Sequence, residues 1–250
     1  MDLQIAGKTA LVTGASSGIG RGVAIALATE GVEVSIAARR VHLLHETAQE
    51  IQRAGASPPH IIATDIMDED GAETLAATAL ERMGHVEILV NCAGGSRPLA
   101  IDAPEEAWFE AMTLNFTRQR QLTTALLSQM IARRWGRIIN ITGKSEPEGV
   151  NGAFAAKAAM HSWAKGLSRE IGKFGITVNS VPPGRIVSEQ ILRNYTPEYR
   201  KWQSEHEIPV GEYGQPGDVA NLVCFLASPL ARYITGAVIP VDGGLRRYAF

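Results

Sequence analysis

Gly14, Gly18 and Gly20, in the run Thr13-Gly14-Ala15-Ser16-Ser17-Gly18-Ile19-Gly20, stand between a short apolar run and an amphipathic one. Lys8-Thr9-Ala10-Leu11-Val12 reads as a buried strand, and Val23, Ile25, Ala26 and Leu27 give the next segment an apolar helical face. Glycines at such a junction let the backbone turn sharply. They also let an anion approach the helix N-terminus, where unpaired N–H groups and the helix dipole favour negative charge. The chemistry this spacing suits is cradling a pyrophosphate, so Gly14, Ser16, Ser17, Gly18, Ile19 and Gly20 are candidate dinucleotide-binding residues.

The elements that must hold this turn follow from the rest of the chain. Strand-like runs recur at Val32–Ala37, Ile61–Thr64, Ile88–Asn91, Arg137–Thr142, Thr177–Val181 and Val238–Val241. Helical segments are expected over Val41–Ala54, Glu69–Met83, Pro104–Arg134, Ala153–Lys173 and Pro216–Leu226. This alternation predicts an α/β fold, a doubly wound, seven-stranded parallel sheet flanked by helices, in one domain over 1–250. The stretch Gly184–Gly211 breaks the rhythm with many aromatic and charged residues after the sixth strand, where such folds place substrate lids, so a lid is expected around 185–211.

Composition narrows the partners. A net charge of −2 with dispersed Lys and Arg argues against nucleic-acid and anionic-membrane surfaces. The N-terminus carries Asp2 and reaches the glycine turn without a basic region or long apolar run, so the reading is cytoplasmic. Cys92 and Cys224 fall at a strand tip and in an apolar helix and read as buried free thiols, not as a disulfide or metal ligands.

The glycine turn, Asn91-Cys92-Ala93-Gly94, Asn115, Gly136-Arg137-Ile138-Ile139-Asn140-Ile141, Lys157, Pro183-Gly184 and the ending Ile234-Thr235-Gly236…Val241-Asp242-Gly243-Gly244 come in one order along essentially the whole chain. In that order they resemble the short-chain dehydrogenase/reductase family. The resemblance implies a Rossmann-like domain, a nicotinamide cofactor, a small-molecule substrate and a homodimer or homotetramer. It further implies that Asp65 and Ile66 flank the adenine, that Asn91, Ala93 and Gly94 line the adenosine ribose, and that Pro183, Gly184, Ile186 and Ser188 approach the nicotinamide and pyrophosphate. Cofactor choice is read at the end of the second strand. There an NAD site needs a carboxylate for the ribose hydroxyls and an NADP site a cation for the 2′-phosphate. The strand ends Ala37-Ala38-Arg39-Arg40 and its one acid, Glu33, lies at the far end, which favours NADP(H) with Arg39 first and Arg40 second.

The chemistry departs from the family pattern. Hydride transfer to a carbonyl leaves an alkoxide that needs a proton and a donor to hold its charge. The family supplies a Ser after the fifth strand and a Tyr-x-x-x-Lys on the next helix, whereas this chain has Gly143 and Ala153 at those places and keeps Lys157. By resemblance Lys157 holds the nicotinamide ribose, and Asn115 is the helix asparagine that holds a water. Lys144, Ser145 and Glu146 are the nearest polar candidates for the missing acid. Tyr195, Tyr199 and His206 of the lid and Tyr248 of the tail are further ones, while His161 reads as structural. Arg97, Lys144 and Arg185 form a candidate anchor for an anionic substrate group. Three functions stay open: an NADP(H)-dependent oxidoreductase of small carbonyls or alcohols with a non-standard proton donor; a relative performing elimination, isomerisation or carbon–carbon cleavage; and a non-enzymatic NADP-binding sensor.

Overall fold

Ala10 and Val12 of β1 (Thr9–Thr13) join one apolar layer, and Leu11 between them joins the other. The same period of two runs through β4 (Ile88–Asn91) and β5 (Gly136–Ile141), where Ile88, Val90, Ile139 and Ile141 face the first layer while Leu89 and Ile138 face the second. A sheet buried on both faces needs helices on both. The first layer is closed by α1 (Gly18–Thr29), α2 (Val41–Arg53) and α9 (Pro216–Ala227), the second by α3 (Gly71–Met83), α5 (Arg118–Arg133) and α6 (Gly152–Ile171). With β2 (Glu33–Ala38), β3 (His60–Ala63) and β6 (Ile176–Val181), the strands are all parallel in the order β3-β2-β1-β4-β5-β6. The computed structural model describes residues 1–143 and 149–247. Among these, no helix is long and apolar enough to cross a membrane.

The sheet has six strands, not the seven expected. The run Val238–Val241 does lie beside β6, with Ile239 N–H donating to Ser180 O (2.9 Å) and Val241 N–H to Pro182 O (3.1 Å). Proline has no N–H, so Pro182 cannot donate the intervening rung, and the pairing reduces to isolated parallel bridges.

A second difference concerns the expected helix Pro104–Arg134. It divides into α4 (Glu105–Met112), a π-helical turn at Thr113–Thr117, and α5. Asn115 sits in that turn, and its side-chain Nδ2 donates to Ala111 O at 3.0 Å. A side chain that occupies the carbonyl four residues back displaces the helical bond there and widens the turn. The stretch after β6 carries two short helices, α7 (Glu189–Asn194) and α8 (Pro197–His206), capped by the side chains of Ser188 and Thr196.

Candidate functional site

Strand order reverses between β1 and β4, and the crevice outside their carboxyl ends is where a doubly wound sheet binds ligands. A cleft of about 850 Å³ opens there. Gly14, at φ +66°, turns the chain off β1, and a Cβ on it would press within 3.0 Å of the Ala93 and Cys92 backbone. A Cβ on Gly20 would collide with the Gly14 carbonyl, its carbon atom only 2.8 Å away. Both positions therefore exclude a side chain and keep the turn tight. The first turn of α1 holds no acidic residue, and the side chain of its N-cap, Ser17, makes no capping bond, so among the described residues the first α1 amides have no side-chain acceptor. Such an end attracts an anion.

Thr13 joins the two strand tips. Its Oγ1 accepts from Cys92 N–H (2.9 Å) and Ala93 N–H (3.0 Å) and donates to Val90 O (3.3 Å). Gln119, buried on α5, donates to Ala93 O and fixes the same turn from the other side. Neither residue was singled out in the sequence. A threonine ending a strand just before a glycine turn, and a glutamine four residues after Asn115, were the available signals.

At the far end of β2 the two arginines differ. Arg39 is largely exposed, 3.6 Å from Asp65 Oδ2, whereas Arg40 donates to Ser17 Oγ (3.0 Å) and pairs with Glu189 of α7 (2.8 Å). Arg40 thus links the glycine turn to the lid. Ser16, Ser17, Gly18, Ile19, Asp65, Ile66, Ala93, Gly94, Pro183, Gly184, Ile186 and Ser188 all line the cleft. Asn91 does not: its side chain is fully buried beneath, donating to Thr123 Oγ1 and Asn140 Oδ1 at 2.9 Å each.

Lys157 rises from α6 into the cleft, buried, with Nζ donating to Ile141 O at 2.9 Å. Burial lowers its pKa to about 8, partly opposed by the nearby Cys92 thiol, and burial also pushes that thiol up to about 12. Asn115 Oδ1 accepts from Gly95 N–H at 3.0 Å close by. Gly143, Ala153 and Lys157 all line the cleft. Among the described residues a Cβ on Gly143 would meet nothing nearer than Lys157 Cγ at 4.0 Å, and Ala153, itself buried, contributes a single methyl one helical turn from Lys157. His161, a further turn along α6, bonds Thr142 Oγ1 at 2.8 Å and does not line the cleft, and burial and the Lys157 charge lower its pKa.

Of the lid aromatics only Tyr195 lines the cleft; Tyr199, Trp202 and His206 continue from it as a stack along α8. Arg97 pairs with Glu110 (3.0 Å) and Arg185 with Glu207 (3.4 Å), so the two described charges of the expected anion anchor already meet carboxylates. Lys144, Ser145, Glu146 and Tyr248 lie outside the described residues.

A parallel sheet of this order with a glycine turn and a bare helix N-terminus at its switch point defines a Rossmann-type nucleotide-binding protein. A family model described as enoyl-(acyl carrier protein) reductase matches residues 14–246. A 2,3-dihydroxy-2,3-dihydro-p-cumate dehydrogenase of Pseudomonas putida is 38% identical over 255 residues, covering 97% of this chain and 95% of the relative. The solved structure of a 7α-hydroxysteroid dehydrogenase, complexed with NADH and 7-oxo glycochenodeoxycholic acid, superposes with a TM-score of 0.91 at 32% identity, over 97% of this chain and 96% of that one. An actinorhodin polyketide ketoreductase variant with NADPH gives 0.89 at 33% identity, over 97% and 98%. The chain belongs to the short-chain dehydrogenase/reductase family.

Proposed function

We propose that this protein is an NADP(H)-dependent oxidoreductase that moves a hydride between the nicotinamide and a small carbonyl or alcohol, with a proton donor other than the family's tyrosine. The observation that carries the reading is one continuous cleft running from Arg39 and Arg40, past the glycine turn, to Lys157. The fit to a dinucleotide rests on the cradle itself: side chains are excluded at Gly14 and Gly20, and among the described residues the first α1 amides have no side-chain acceptor. Relatives solved with NADH and with NADPH leave the choice to the β2 end, where two arginines stand and no carboxylate faces the ribose from β2.

When bound, the cofactor supplies the hydride. In this reading Arg40 and Arg39 hold the 2′-phosphate, Ser16, Ser17, Gly18, Ile19 and Gly20 hold the pyrophosphate, and Asp65 and Ile66 flank the adenine. Ala93 and Gly94 border the ribose, Ile186 and Ser188 border the nicotinamide, and Lys157 holds its ribose. The buried setting of Asn91 supports a role in bracing the β4 tip, not in touching the cofactor. The carboxylates at Arg97 and Arg185 favour an uncharged carbonyl substrate over an anionic one.

The lack of a proton-bearing side chain at Gly143 and Ala153 also supports a second reading, in which the cleft performs elimination, isomerisation or carbon–carbon cleavage around a bound NADP(H). Purified protein is titrated with NADPH and NADH by fluorescence and then given ketones, ketoacyl thioesters, sugars and quinones while NADPH absorbance is followed. Tighter NADPH binding with carbonyl-dependent oxidation is expected. Tighter NADH binding overturns the cofactor assignment, and substrate turnover without net cofactor change favours the second reading.

A further inference from the structure

Gly143 and Ala153 have no proton to give, and the structure shows what stands behind them. The recess they leave opens onto Lys157, whose only described acceptor is Ile141 O and which no described carboxylate approaches. Lys157 lines the cleft, and a Cβ placed on Gly94 would lie 3.3 Å from its Nζ and 2.8 Å from Asn115 Oδ1, so the ammonium, Gly94 and Asn115 stand together on one part of the wall. We propose that Lys157 is itself the acid of this site: the recess admits the substrate oxygen to Nζ, and the ammonium protonates it directly, with no phenol between them. The proposal rests on the oxidoreductase reading above and extends it to the proton.

In reduction the carbonyl carbon gains a hydride from the reduced nicotinamide, and the C=O π pair moves onto oxygen. That oxygen takes a proton from Lys157 Nζ, which leaves a neutral amine to be reprotonated from solvent. The carbonyl is reduced and the nicotinamide oxidised, so atoms and electrons balance. Other described groups are worse placed. The Cys92 thiol, raised to about 12, holds its proton too tightly. His161 is tied to Thr142 and lies outside the cleft, and Tyr195 stands on the lid side of it, its hydroxyl accepting from Arg185 at 3.3 Å. Burial brings the Lys157 ammonium to about 8, within reach of neutral chemistry. Among the described residues, the titratable or charged neighbours that face it are Cys92 just after β4 and His161 from α6, with Arg246 of the tail beyond His161.

Reduction needs the charged form, so kcat with NADPH is flat below about pH 8 and falls roughly tenfold per unit above it, while alcohol oxidation rises to a plateau there. Lys157→Ala is tested at saturating NADPH, with its Kd measured separately. It loses on the order of 100-fold in kcat, and added small primary amines restore activity in proportion to their acidity. A residue that merely holds the ribose gives no such dependence. Independently of turnover, acylation of Lys157 in the cofactor-free protein, mapped by mass spectrometry, shows a midpoint near 8. A labelling midpoint at the ordinary 10.5 overturns the proposal. So does a Lys157→Ala protein that loses NADPH affinity yet keeps kcat within about threefold, and that result leaves the oxidoreductase reading intact. An unaltered protein that binds NADPH but reduces no carbonyl overturns that reading, and the acid assignment with it.

Discussion

Thr13→Val replaces one hydroxyl by a methyl of nearly the same shape and tests how the floor of the cleft is held. Thr13 is buried, and its Oγ1 is the acceptor for both Cys92 N–H and Ala93 N–H while its proton goes to Val90 O. Valine accepts nothing, so two backbone amides lose their partner. Each orphaned buried amide costs about 1–3 kcal/mol, and because both bonds lie next to the cleft, where water can reach them, the lower half of that range applies. The expected loss is about 2–4 kcal/mol, which for a chain of 250 residues is roughly 4–16 °C in Tm. The same change frees the Ala93-Gly94 turn that borders the proposed ribose site, so NADPH affinity falls roughly tenfold. Thr13→Ser keeps the oxygen and is expected to stay within about 1 kcal/mol, the value of one buried methyl. Urea unfolding followed by circular dichroism, with NADPH titration of the three proteins, reads both effects. A Thr13→Val protein within about 0.5 kcal/mol of the unaltered one refutes the reasoning, because the two amides must then be satisfied without Thr13.

Other consequences can be tested alongside. Lys157 is charged on both sides of the folding equilibrium below about pH 8 and only in the unfolded chain between about 8 and 10.5, so stability rises with pH across that window. Lys157→Met removes the burial cost, at most about 3 kcal/mol, and loses the bond to Ile141 O worth about 1; Tm should rise at pH 7 and the gain vanish above pH 10, and a lower Tm at pH 7 contradicts the burial argument. Arg40→Gln should weaken NADPH by roughly tenfold while changing NADH by no more than about twofold, measured by fluorescence titration; equal losses for both cofactors would move the phosphate contact elsewhere. Glu189→Gln releases Arg40 from an exposed pair worth at most about 1 kcal/mol, so NADPH should bind up to about fivefold more tightly, and unchanged affinity would mean the pair does not compete with the phosphate. Gly20→Ala, which drives a methyl into the Gly14 carbonyl, should abolish detectable NADPH binding by calorimetry, and retained affinity would show that the turn can relax.

The glycine turn and the strand runs were legible because their signals are local. A strand buried on both faces must be apolar throughout, and a turn against a helix N-terminus must spare the Cβ, whatever the rest of the chain does. β4 matches its expected bounds, Ile88–Asn91, and the other five expected strands of the sheet match within a residue or so at each end. One miss depends on a partner distant in sequence, the other on a side chain that turns back onto its own helix. Val238–Val241 has a strand's composition, yet its pairing fails because a proline, Pro182, sits on the segment it pairs with. The break in the long helix comes from the Asn115 side chain, a residue that in isolation could equally face solvent.

The candidate site divides along the same line. The cradle needs backbone and small residues in sequence order, so Gly14 to Gly20 declare it. Arg39 and Arg40 are adjacent and chemically identical, and only the positions of Ser17 and Glu189 make Arg40 the one that bridges the glycine turn and the lid. Ala153 and Gly143 were readable as missing groups, but a missing side chain does not say what its space exposes. In the proposed reading the space beside Gly143 leads toward the Lys157 ammonium, and a site without the phenol has one proton-transfer intermediary fewer. On that proposal Lys157, and not the lid, is where the chemistry of this cleft is best sought.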